Sequence, residues 1–86
     1  QNLSYYSSIY PNPNNGTFTI NLNRDIPFDD WSIVIFDLAG KTLYQNSYSK
    51  RINSALISIN DFENGIYFVQ FESNGIRKTE RIVVIK

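Results

Sequence analysis

The stretch IYFVQFESNGIRKTERIVVIK, residues 66–86, contains the strongest signal for local structure in this chain. Its first eight side chains alternate between two faces with a period of two, which is the period of a β-strand. The pair Asn74 and Gly75 follows, and this pair favours a type I′ turn because both central residues of that turn need a positive φ. The stretch therefore predicts an antiparallel hairpin, with residues 76–86 as its returning strand.

The rest of the chain shows the same period and no convincing helical stripe. Trp31 heads a segment, WSIVIFD, that is apolar on both faces and therefore predicts a central strand. Gly40 turns the chain after it. With this segment at residues 31–37, further strands are predicted at residues 17–23, 41–49 and 55–59. We expect an all-β fold, a small antiparallel immunoglobulin-like β-sandwich of about seven strands, and closure as a small barrel is the competing geometry.

The chain has 86 residues, which predicts one domain. We place a linker or first-strand segment at residues 1–8, where Tyr5 and Tyr6 could begin a strand, and the folded domain at residues 9–86. The sequence does not begin with Met, so we expect it to be a piece of a longer protein.

Composition argues against catalysis and against several kinds of partner. The chain has no His and no Cys, which removes the commonest general base, the thiol nucleophile and the usual transition-metal ligands. The acidic residues that could act as a catalytic pair lie in or beside turns, where Asp usually bonds to its own backbone. They are Asp25, Asp29, Asp30, Asp37, Asp61 and Glu63. Eight basic residues balance eight acidic ones, so nothing favours nucleic acid. We expect no enzyme activity, no cofactor, no metal and no small-molecule substrate.

Three features are candidates for recognition. Trp31 and the tyrosines could form a sugar-stacking platform, although a Trp at the head of an apolar strand more often fills the core. Pro11, Pro13 and Gly16 form a stiff element. We expect it to direct the strand that follows, or to contact a partner. The segment from Arg77 onward carries an excess of positive charge, which suits either a guarded edge strand or a recognition surface.

Three segments together resemble the type A C-terminal sorting domain of the type IX secretion system of Bacteroidota. They are YPNPNNGTFTI (residues 10–20), IVIFDLAGKTL (33–43) and FENGIYFVQFESNGIRKTERIVVIK (62–86). They occur in the order and spacing of that family and cover nearly the whole chain. The resemblance marks the following recognition or motif residues: Pro11, Pro13, Gly16, Asp37, Gly40, Lys41, Asn64, Gly65, Tyr67, Arg81, Val83, Val84 and Lys86.

The resemblance implies a secretion signal that directs its parent protein through the periplasm and across the outer membrane, to the cell surface or the medium. Its implied partners are the outer-membrane translocon and shuttle proteins, a surface sortase-like peptidase that commonly removes the domain, and a cargo domain on its N-terminal side. The alternative is a cell-surface carbohydrate-binding or adhesion module. From the terminal strand we expect a free sheet edge at residues 76–86 that pairs with a receptor strand, so that deleting residues 82–86 would block export.

Overall fold

The computed structural model describes residues 7–22 and 29–86, and it is all-β over these ranges. Within these ranges the chain forms seven strands: β1 (Ser7–Tyr10), β2 (Thr17–Leu22), β3 (Trp31–Phe36), β4 (Thr42–Tyr48), β5 (Ser54–Ser58), β6 (Gly65–Ser73) and β7 (Ile76–Val84). They make two separate antiparallel sheets, with the strand orders β1-β2-β5 and β4-β3-β6-β7. The predicted sandwich is confirmed, and the closed barrel is wrong because no strand of one sheet pairs with a strand of the other within residues 7–22 and 29–86.

The strands alternate between core and solvent as their sequences predict. In β2 every second side chain is buried, beginning with Phe18, because Thr and Asn occupy the positions between them. Residues of β3 are buried at every second position from Trp31, and its other face is only partly exposed. β3 lies between β4 and β6, so its prediction as a central strand is confirmed.

The β6–β7 hairpin closes through a two-residue turn. Asn74 and Gly75 have φ angles of 51° and 78°, and Ser73 pairs with Ile76 across the turn. Both central residues thus have the positive φ that the Asn-Gly pair favours. The hairpin prediction is confirmed.

The core lies between the sheets, with Trp31 as its largest side chain. Trp31 is 2% exposed and stacks on Tyr48, with ring centroids 4.3 Å apart. Its Nε1–H donates to the Ile52 carbonyl at 2.7 Å, which satisfies the indole donor and ties the β4–β5 loop to the core. A sugar platform built on Trp31 is therefore wrong. Among the described residues, fourteen apolar side chains form this core: Phe18, Ile20, Leu22, Trp31, Ile33, Ile35, Ile57, Ile59, Phe62, Tyr67, Val69, Phe71, Ile82 and Val84.

Some predictions fall outside the described residues. Tyr5 and Tyr6, the end of the predicted strand at Asn23, and the candidate acid Asp25 all lie there. Within the described ranges β1 includes Ser7 and Ser8, so the first-strand reading applies to those two residues. No helix in these ranges is long and apolar enough to cross a bilayer.

Candidate recognition surface

One end of the sandwich brings together parts of all three segments that carry the resemblance. We call it the motif end, and it comprises the β1–β2 connection (residues 11–16), the β3–β4 turn (37–41), the β5–β6 connection (59–64) and the residues after β7 (85–86). Antiparallel pairing places these connections together, since β1, β3, β5 and β7 all run toward this end. The β6–β7 turn and Ser7, where β1 begins, lie at the opposite end.

The proline-containing connection is fastened to the edge of β7. The Asn14 N–H donates to the Val83 carbonyl at 2.9 Å, and the Asn14 carbonyl accepts from the Ile85 N–H at 2.8 Å. The Asn12 side chain extends this contact, since its Nδ2 donates to the Arg81 carbonyl at 2.9 Å and its Oδ1 accepts from the Val83 N–H at 3.0 Å. Both peptide bonds that precede Pro11 and Pro13 are cis. The connection thus joins the two sheets and does more than direct β2.

This contact changes the predicted role of the terminal strand. β7 is an edge strand, as expected. However, its outward backbone groups from Arg81 to Ile85 already bind Asn12 and Asn14, so the prediction that this half pairs with a receptor strand is wrong. Ile82 and Val84 are 0% exposed, and their deletion would remove core as well as any signal.

Gly16 lies where a side chain would meet the β5–β6 connection. Its φ is +108°, and a Cβ built on it would be 3.1 Å from Asn60 Oδ1. The Gly16 carbonyl accepts from the Ile59 N–H at 2.7 Å, and its N–H donates to Asn14 Oδ1 at 2.9 Å. Gly16 is required for the close approach of two motif-end connections.

Asp37 organises the β3–β4 turn. Its Oδ1 accepts from the Ala39 N–H at 3.0 Å and from the Lys41 N–H at 2.9 Å, while Gly40 takes a φ of +87° in open space. This is the ordinary turn role of Asp. The Lys41 side chain remains exposed at the rim of the turn.

Tyr67 and Asn64 hold the β5–β6 connection. The Tyr67 hydroxyl donates to the Glu63 carbonyl at 2.6 Å, and its ring packs on Phe62 with centroids 4.9 Å apart. A Tyr near the start of this strand that bonds back to the preceding corner is a tyrosine corner, a feature of immunoglobulin-like sandwiches. Asn64 Oδ1 accepts from the Lys86 N–H at 2.9 Å, and Lys86 Nζ donates to the Asn60 carbonyl. Gly65 begins β6 and pairs with Val84.

A shallow cleft of about 450 Å³ opens between the β3–β4 turn and the β5–β6 connection. Its walls carry both charged and apolar side chains. They are Asp37, Lys41, Leu43, Asp61, Phe62, Glu63 and Tyr67. The cleft places two of the three segments side by side at the surface.

Successive side chains of β7 point to opposite sides of the sheet, so its charged residues are divided between the two sides. Lys78 and Glu80 point to the side of the core, as Ile82 does, and they pair at 3.4 Å. Lys78 Nζ also donates to the Ser7 carbonyl at 2.8 Å, which fastens β1 to β7. Inward-pointing charges protect an edge strand from unwanted pairing. The guarded-edge reading therefore explains this part of the basic segment.

The outer side of the four-stranded sheet is unexpectedly apolar near the motif end. Phe36 pairs with Phe68 across the strands, with ring centroids 5.6 Å apart, and Ile66 pairs with Val83. We call the following set the apolar outer face: Val34, Phe36, Ile66, Phe68 and Val83. The sequence signal for this surface was the segment WSIVIFD. Its two apolar faces predicted a central strand, but they did not indicate which strands would lie beside it.

The three segments thus fold into one connected surface, and their order matches a known family. The family model described as a secretion system C-terminal sorting domain matches residues 8–86. The chain belongs to this family. The sorting domain is therefore a C-terminal type IX secretion signal, and its parent is exported across the outer membrane, to the surface or beyond. A search of curated proteins found no match.

Eleven of the thirteen motif residues of the sorting domain divide into two groups, and the other two are the backbone positions Gly40, in the β3–β4 turn, and Gly65, at the start of β6. Gly16, Asp37, Asn64, Tyr67 and Val84 are engaged in hydrogen bonds or core contacts within the domain. The side chains of Pro11, Pro13, Lys41, Arg81 and Lys86 are exposed, and Val83 is partly exposed. Their role in recognition stays a prediction.

Proposed function

We propose that the secretion system reads the sorting domain at its motif end. The observation that carries this proposal is the convergence of three distant segments on one end of the sandwich, held together by the contacts of Asn12 and Asn14 with β7. A surface assembled in this way exists only in the folded domain. In this proposal the secretion system therefore recognises a folded surface rather than a linear peptide.

The exposed motif residues are the ones that a partner contacts in this proposal. Pro11 and Pro13 present rigid apolar rings at no cost in side-chain entropy, and Arg81, Lys41 and Lys86 supply positive charge. The buried motif residues hold the exposed ones in position through hydrogen bonds and core contacts within the domain. The recognition residues are thus a subset of the motif.

The geometry also suits a cargo on the N-terminal side. β1 begins at Ser7, at the end opposite to the motif end, and runs toward it. A cargo domain joined there would lie away from the motif end and leave it accessible. We propose the outer-membrane translocon and its shuttle proteins as the readers, and a surface sortase-like peptidase as the enzyme that removes the domain after export.

Export of a reporter tests the proposal. The chain would be fused behind a periplasmic reporter and expressed in cells that have or lack a functional type IX system. We expect the reporter in the medium or on the surface only in the competent cells. Retention in the periplasm of both strains would contradict the proposal.

Pro11→Ala combined with Pro13→Ala then separates recognition from folding. The double variant removes two exposed rings, and its melting temperature is measured on the same fusion. Loss of export at an unchanged melting temperature supports reading of the motif end, whereas unchanged export argues against contact with these rings.

A further inference from the structure

The apolar outer face contains two stacked aromatic rings on the solvent side of a sheet. Its five side chains lie on β3, β6 and β7 and extend to the motif end. The core lies on the other side of these strands, where Ile33, Ile35 and Val69 are 0–1% exposed. The apolar outer face therefore adds little to the core between the sheets.

The other solvent-facing sheet surface has a different character. On the three-stranded sheet the outward positions of β2 are Thr17, Thr19 and Asn21, and Thr19 pairs with Tyr10 and Leu56. Most of these positions are polar, as is usual for a sheet that faces water. Contiguous apolar patches at the surface of a soluble domain commonly mark interaction sites.

One positive charge beside the apolar outer face has no partner in the described part of the chain. Arg81 is exposed and pairs in register with Phe68. The neighbouring cations of β7 differ, since Arg77 pairs with Glu72 at 3.3 Å and Lys78 pairs with Glu80 at 3.4 Å. Charge complementarity therefore favours a partner whose docking surface is apolar and carries a carboxylate that reaches Arg81.

We propose that the apolar outer face docks a protein of the export machinery, which places an Asp or Glu carboxylate against Arg81. This inference rests on the proposed function and names the surface through which it acts. Phe36 and Phe68 are half-buried, which suits a protein surface. Membrane binding by contrast relies on apolar side chains that reach into the acyl boundary.

The test uses four variants of the reporter fusion in a type IX-competent strain. Arg81→Glu reverses the charge, and Ile66→Ser removes an apolar side chain that is 37% exposed. We expect each to lower export about tenfold, the order of effect of a hot-spot side chain. Arg81→Lys keeps the charge and should export well. Leu56→Ser, at a 72% exposed site on the other sheet, is the matched control and should export like wild type.

Melting temperatures of the purified fusions show whether each variant is folded. Wild-type export from folded Arg81→Glu and folded Ile66→Ser would overturn the docking proposal and leave the proposed function intact. If wild type itself is not exported, the proposed function fails, and this proposal with it. If Arg81→Glu fails to fold, Arg81→Gln and Ile66→Ser carry the test.

Two direct readouts decide the class of partner. A photo-cross-linker at position 66 should form adducts with proteins of the export machinery during export, and the same group at position 56 should not. Adducts at neither position in cells that export the fusion would overturn the proposal. So would binding of the wild-type fusion to vesicles of phosphatidylethanolamine and lipid A that is lost in Arg81→Glu, because the face would then bind membrane.

Discussion

Asn14 lies against Val84 as an isolated parallel bridge between residues near opposite ends of the sequence. Asn14 supplies both backbone bonds of this bridge, one to Val83 and one to Ile85, and it is itself 5% exposed. The proline-containing connection thereby acts as a short additional strand beside β7. A substitution in either segment alters both, so stability has to be measured whenever export is tested.

Asn12 provides the first prediction, because its side-chain amide imitates a backbone peptide group against β7. Asn12→Ala removes one donated and one accepted hydrogen bond. We expect a loss of about 1–2 kcal/mol in the free energy of unfolding, since each bond contributes roughly 0.5–1.5 kcal/mol net. Urea unfolding measures it.

Asn12→Asp sharpens this test. The carboxylate can still accept from the Val83 N–H, but its other oxygen faces the Arg81 carbonyl, so we expect at least the loss seen for Asn12→Ala. Asn15→Ala is the control: Asn15 is exposed in the same connection and makes no side-chain hydrogen bond within the described ranges. Equal stability of Asn12→Ala and Asn15→Ala would contradict the assigned contact.

Gly16 provides the second prediction, with Gly40 as its matched control. Both have positive φ, so Ala at either position costs about 1–2 kcal/mol for the left-handed backbone. Only at position 16 does the added Cβ also meet atoms of Asn60 and Ile59, whereas nothing lies within 4 Å at position 40. In thermal unfolding, the melting temperature of Gly16→Ala should therefore be lower than that of Gly40→Ala. The reverse order would show that the two connections do not approach closely.

Tyr67→Phe tests the tyrosine corner. The variant keeps the ring on Phe62 and removes only the bond from the hydroxyl to the Glu63 carbonyl. We expect a loss of about 1 kcal/mol, the net worth of one hydrogen bond. Tyr10→Phe, at a position 50% exposed, should leave the unfolding midpoint unchanged. A neutral Tyr67→Phe would mean that the corner bond adds nothing to stability.

The sequence predicted the parts of the fold that depend on local pattern. The alternation in β2 and the turn at Asn74 and Gly75 are encoded within a few residues, because strand period and turn dihedrals are local properties. The role of Asp37 in its turn was likewise predictable from residue type.

Contacts between distant segments were not predictable in this way. Nothing in the local sequence indicates that Asn12 and Asn14 bind β7, because their partners lie at the far end of the chain. The apolar outer face has the same origin: Phe36 and Phe68 become neighbours only through the register of β3 and β6. Such features depend on topology, and the part of the candidate surface that they form required the structure.

Tyr48 gives a pH prediction. Burial raises the pKa of its hydroxyl above 10.0, and the interaction with Tyr44 adds to the rise. The folded state thus prefers the neutral phenol, and this contribution is complete below pH 10 and is lost as pH rises through the higher folded-state pKa. Tyr48→Phe should show a smaller fall in stability above pH 10 than wild type. Parallel stability curves for the two proteins would contradict the shift.

Deletion of residues 82–86 gives the last prediction, which concerns folding rather than signalling. The deletion removes Ile82 and Val84, both 0% exposed, together with the partners of Asn12 and Asn14. Losing each core side chain costs about 2–5 kcal/mol, against a total stability of about 5–15 kcal/mol for a domain. We therefore expect the shortened chain to lack a cooperative thermal transition, as measured by circular dichroism.

Lys86→Ala is the matched control for this deletion, because it keeps the core and removes only the side-chain bond to the Asn60 carbonyl. It should melt within a few degrees of wild type, since exposed substitutions usually change stability by about 0.5 kcal/mol or less. A deleted chain that still melts cooperatively near the wild-type temperature would show that the end of β7 is not part of the core. If the deleted chain shows no cooperative transition, its loss of export is assigned to unfolding rather than to a missing signal.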